Sequence, residues 1–140
     1  MLSINFLAVI VAALTAFILG FLFHGPITGK LWMKLANIHP TGNEKLSDMI
    51  PQMAWNLLVN LVTAFVMAMI FSLVFSSSLM GPETWFRGVV MGFWLWLGFL
   101  ATSSSIEVIW MGRTFKLWLF EAVCSLIVTG VMGAILAGWR

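Results

Sequence analysis

Two glutamates, Glu107 and Glu121, lie inside otherwise apolar runs. Each sits about five residues, or roughly 7 Å at 1.5 Å per residue, from the nearer end of its run. A carboxyl group at that depth is costly in lipid and by default faces the interior of a helix bundle. Two chemistries are open to the pair. Without a cation between them they form a coupled site able to hold a proton near neutral pH; with Arg113, Lys116 or Lys30 in reach they are interfacial salt bridges. Asn56, Asn60, Ser103, Ser104, Ser105 and Ser125 fall at similar depth, while the other half of each run holds glycine, alanine and large apolar residues. The pattern describes a polar vestibule at one membrane face. It makes Asn56, Asn60, Ser103, Ser104, Glu107, Glu121 and Ser125 the candidate binding residues.

Other chemistries find little support. His24 and His39 share one loop, but no acidic or cysteine partner stands at ligand spacing, so no metal site is expected. The single Cys124 excludes an intramolecular disulfide and a CxxC motif, and reads as a packed small residue. No activated nucleophile or cofactor motif is present. Neither catalytic residues nor cofactors are therefore expected, and the chain does not read as an enzyme.

Lipid must be the solvent for the elements that carry these groups. Hydrophobic residues make up 61% of the 140, charged residues 9%, and eight tryptophans accompany no tyrosine. A net charge of +2 is too small to suggest nucleic acid. A bilayer core of about 30 Å needs about 20 helical residues, and four segments meet that need: about Ile4 to Phe23, Met53 to Phe75, Trp85 to Trp110 and Lys116 to Trp139. The first has no basic leader and three spans follow it, so it is expected to remain as a membrane helix. The fold expected is all-α, a single four-span bundle over residues 1–140. Gly25 and Pro26 end the first helix; Ser47 and Asp48 can cap the second, with Pro51 in its first turn. Pro82 and Glu83 suit the start of the third, Gly112 its left-handed end, and Thr114 the cap of the fourth.

The loop 24–50 is the one long polar segment. Leu31, Trp32, Leu35 and Ile38 have helical spacing with Lys30 and Lys34 on another face, which predicts a short interfacial helix. The pattern Thr-x-Lys-Leu-Trp occurs twice, at Thr28 to Trp32 and Thr114 to Trp118. Lys30, Lys34, Lys45, Arg113 and Lys116 lie on the side of this loop, against Arg87 and Arg140 on the other. The excess places loops 24–50 and 111–115 in the cytoplasm and both termini outside an inner membrane. Trp32, Trp55, Trp110 and Trp118 fit one aromatic belt and Trp85 and Trp139 the other, while Trp94 and Trp96 read as packing within the span.

Helices associate in lipid where small residues let backbones approach. Four-residue ridges of this kind are Ala8, Ala12, Ala16 and Gly20 in the first span, and Gln52, Asn56, Asn60, Ala64, Ala68 and Ser72 in the second. The third offers Gly88 and Gly92, then Gly98 and Thr102; the fourth offers Glu121, Ser125, Thr129, Gly133 and Ala137.

The run Phe23, His24, Gly25, Pro26, Gly29, Lys30 and Trp32 resembles the first-loop signature of bacterial membrane proteins catalogued as domain of unknown function 1761. So do Trp96, Leu97, Gly98, Phe99 and Thr102; Gly112, Arg113, Lys116 and Leu117; and the ending Met132 to Leu136, Gly138 and Trp139. The resemblance spans the chain and implies four membrane spans without supplying an activity. Near Glu121 it implies an asparagine and a Gly-aromatic pair, whereas this chain has Glu121, Ala122 and Val123. A carboxylate there would then not be common to the family.

Two functions from different classes follow. One is binding or transport of a small cationic or neutral molecule or ion through the vestibule, as a homo-oligomer because four helices enclose little space. The other is a structural or regulatory subunit whose small-residue ridges dock a partner membrane protein. Membrane lipids surround either.

Overall fold

The computed structural model describes residues 4–43, 45–77 and 84–139, and all of its regular structure is helical. Five helices follow one another: α1 (Phe6–His24), α2 (Gly29–Ala36), α3 (Leu46–Ser76), α4 (Trp85–Trp110) and α5 (Phe115–Gly138). All but α2 are long and apolar enough to cross a membrane. Pro82, Glu83 and Arg140, which entered the reading of helix starts and charge balance, lie outside the described residues.

Local chemistry sets the boundaries. Asn5 caps α1 by accepting from the backbone N–H of Leu7 at 3.0 Å and Ala8 at 3.2 Å. Its amide nitrogen also donates to the Trp139 carbonyl at 3.1 Å, which joins the start of α1 to the end of α5. Gly112 has φ +66 and ends α4 in the left-handed region, as expected. Thr114 occupies the N-cap position of α5, but its hydroxyl makes no capping bond.

Helix α3 begins earlier than hydropathy suggested. Leu46 is its first residue and Lys45 its N-cap, so Ser47 and Asp48 lie inside the first turn and Pro51 in the second. Asp48 favours the positive end of the helix dipole in that place. Asn37, at φ 55, closes α2, so Ile38 falls beyond the helix instead of continuing its face.

Helix α5 is the centre of the bundle: it packs against α1, α3 and most extensively α4, while α1 also packs along α3. The α4–α5 contact is made by glycine. A Cβ on Gly88 would collide with the Gly133 carbonyl, one on Gly133 with the Gly88 carbonyl, and one on Gly92 would stand 2.6 Å from the Thr129 carbonyl. Ala8, Ala12, Ala13 and Ala16 of α1 are buried with Ala64, Met67, Ala68 and Phe71 of α3 and with Met132, Leu136 and Ala137 of α5. Backbones brought this close gain dispersion along their length, the main attraction between helices in lipid.

Five expected contact positions fall elsewhere: Gln52 and Asn56 of α3 are exposed, and three more lie on α1 and α4. Gly20 has nothing within 4 Å of a built Cβ, so it opens onto a cavity instead of meeting a neighbour. Gly98 is likewise without neighbours, and Thr102 is exposed. The cause in α4 is a π-helical stretch, Trp96–Ala101. Its wider turn breaks the four-residue register that Gly88 and Gly92 begin. The hydroxyls of Thr102, Ser103, Ser104 and Ser105 donate back to carbonyls of the preceding turn. Trp94 points outward and Trp96 inward, its indole N–H directed at the Ala122 carbonyl at 3.0 Å and the Ser125 hydroxyl at 2.9 Å.

Candidate functional site

The first connection folds α2 back beneath the bundle. The Ile27 N–H donates to the Leu22 carbonyl and the Thr28 hydroxyl to that of Phe23, which satisfies groups left open at the end of α1. A Cβ on Gly25 would stand 2.7 Å from the Phe21 carbonyl and one on Gly29 2.8 Å from that of His24. Only glycine fits the turn at these two places. The turn brings Trp32 under α5, where its indole N–H donates to Glu121 Oε1 at 3.1 Å.

Glu121 is the hub of a charged chain across three elements. Its Oε2 lies 3.6 Å from His24 Nε2, and its Oε1 lies 3.8 Å from an Arg113 guanidinium nitrogen. The other end of Arg113 pairs with Glu107 at 2.5 Å. Arg113 therefore stands between the two glutamates, the arrangement in which they act as salt bridges and not as a proton-sharing pair. His24 Nδ1 lies 2.9 Å from the Gly20 carbonyl, which can only accept, so that nitrogen carries a proton. Attraction between Nε2 and Glu121 then requires a further proton between them. With an imidazolium in place, two cations balance two carboxylates. The His24 ring is fixed edge-on by Trp32 and Phe120, at centroid distances of 5.2 and 6.1 Å.

Across from this chain stand Asn56 and Asn60 on α3. The Asn60 amide nitrogen donates to the Asn56 backbone carbonyl at 2.9 Å and to its side-chain oxygen at 2.7 Å. Together with His24, Glu121 and Ser125 they line a cavity of about 270 Å³ between α1, α3 and α5. A second cavity, of about 470 Å³, opens on the flank between α1 and α3 and shares Gly20, His24 and Asn56 with the first.

Five of the seven residues singled out from sequence thus gather at one end, four of them on the cavity and Glu107 through Arg113. Ser103 and Ser104 stand off the cavity. Ser103 is exposed and bonds its own helix, and Ser104 accepts from the Trp118 indole N–H at 3.0 Å. The roles of His24 and Trp32 were missed. His24 ends its span at the depth of Glu121, a signal present in the sequence, but nothing local says that α1 and α5 are neighbours. The twin Thr-x-Lys-Leu-Trp patterns have a common geometry: each threonine precedes a helix, and each tryptophan aims its N–H at a polar residue of the same bundle end.

A family model described as a protein of unknown function, DUF1761, matches residues 7–137. The chain belongs to the DUF1761 family. No curated protein and no solved structure matches it. The match covers every residue of the charged chain in this DUF1761 protein, from His24 to Glu121.

Proposed function

We propose that this DUF1761 protein is a binding or transport protein of the inner membrane, not an enzyme, that receives a small molecule or ion at its α2 end. One observation carries the reading: polar side chains from α1, α3 and α5 converge on a cavity there, whereas the cavity of about 480 Å³ between α4 and α5 that reaches toward the other end is lined by apolar residues alone. Met132, at 1% exposure, lines the inner wall of the polar cavity, and Phe71, at 0%, is packed in the core beyond it. A single copy then offers a site and no path across the membrane, so transport requires an oligomer. The excess of lysine and arginine around α2 supports a cytoplasmic opening.

The test uses an Asn60→Cys variant on a Cys124→Ser background, with Ala68→Cys as the buried control. A small charged thiol reagent applied to inside-out vesicles is expected to label Asn60→Cys and spare Ala68→Cys. Equal protection of the two, or labelling only from the outer side, overturns the reading.

A further inference from the structure

The two cavities share Gly20, His24 and Asn56 as lining and differ in character, and that combination names a class of ligand. Resting on the binding role above, we infer that the site takes a single-chain amphiphile with an uncharged, hydrogen-bonding head, admitted sideways from the bilayer between α1 and α3. The flank half is lined by Phe17, Phe21, Met49 and Met53, and leads past Gly20 to His24 and Asn56. Methionine and phenylalanine suit an acyl or isoprenoid chain, the former adapting its shape. At about 30 Å³ per water-sized group, the inner cavity holds a head of roughly nine heavy atoms and the outer one about sixteen groups of a chain.

The head is uncharged because each charged group at the cavity already has a partner. Glu121 is held by His24, Trp32 and Arg113, and Arg113 also by Glu107. An ionic head would have to displace one of these partners, and breaking a partly buried pair leaves the other member uncompensated. What remains is amide chemistry. The Asn56 nitrogen and the Asn60 oxygen make no hydrogen bond among the described residues, although Asn60 lies about 10 Å beyond Met53 along the span. An open donor and an open acceptor facing the cavity gain from any group that bonds both. A hydroxylated or carbonyl-bearing head bonds both.

The experiment measures binding of 1-monooleoylglycerol to the detergent-purified protein by native mass spectrometry, beside oleoyl lysophosphatidic acid and oleylamine as charged probes with like chains. Monooleoylglycerol is expected to bind about tenfold more tightly than either, a difference of about 1.4 kcal/mol. Gly20→Leu should abolish this binding without lowering the melting temperature, because the new side chain enters empty space. Asn60→Leu should weaken the neutral probe and leave the charged ones unchanged. A charged probe that binds more tightly and is lost in Gly20→Leu overturns the uncharged head while the cavity reading stands. Binding of monooleoylglycerol untouched by Gly20→Leu overturns the cleft as its site. No binding of any probe overturns the amphiphile, and the thiol labelling at position 60 then reports separately whether the cavity is a site at all.

Discussion

Replacing Gly88 by alanine drives a methyl group into the Gly133 carbonyl, and replacing Gly133 does the reverse. Backbone faces backbone at this point, so no side chain can turn aside and the helices themselves must part. A separation on the order of 1 Å forfeits up to half of each dispersion well, and a few tens of atom pairs at about 0.1 to 0.2 kcal/mol each put the loss near 1 to 3 kcal/mol. That range coincides with the usual cost of overpacking. Gly98→Ala is the control, since nothing lies within 4 Å of its added carbon. Thermal melts of the purified proteins in one mild detergent should show both contact variants clearly less stable than the parent and Gly98→Ala close to it. The double variant should lose less than the two single losses together, because one separation relieves both clashes. Parent-like melting of Gly88→Ala and Gly133→Ala, or an equal loss in Gly98→Ala, would refute the close approach of α4 and α5.

Three further outcomes are expected. Trp96→Phe removes the donor to Ala122 and Ser125 and should lower stability by about 1 to 2 kcal/mol in the same melt, whereas Trp94→Phe on the lipid-facing side should change little. Arg113→Gln leaves Glu107 and Glu121 without their shared cation; because all three are about a third exposed, the loss should be no more than about 1 kcal/mol, and adding Glu107→Gln should restore part of it. A reporter fused near Asn43 should be found in the cytoplasm and one after Arg140 outside it, and a cytoplasmic reporter at the C-terminus would reverse the assigned orientation.

The four spans were legible because lipid imposes a length, and breakers such as Gly25 and Gly112 mark where that length ends. The ridges were legible where small residues continue to a contact, as at Ala8, Ala12, Gly88 and Gly133. They misled at Gly20 and Gly98 because a missing side chain signals close approach and open space alike. The serines of α4 misled for a different reason: a hydroxyl in a helix satisfies itself on the preceding turn, and here it does so beside a π-helical stretch that no residue type announces. The charged chain was half legible. Arg113 lies a few residues from both glutamates, whereas His24 reaches Glu121 only through the packing of the first span on the last.

That packing also sets an order of events. About 90 residues separate the end of α1 from the start of α5, and at a ribosomal pace of about 5 to 20 residues per second the first span waits roughly 5 to 20 s for its partner. Through that interval the alanine ridge of α1 has only α3 to cover it. The glycine contact of α4 cannot form until α5 emerges. The contacts of α1 with α3 are thus available before those of α4 and α1 with α5. The bond from Asn5 to the Trp139 carbonyl needs both the start of α1 and the end of α5, so it forms only after α5 has been made.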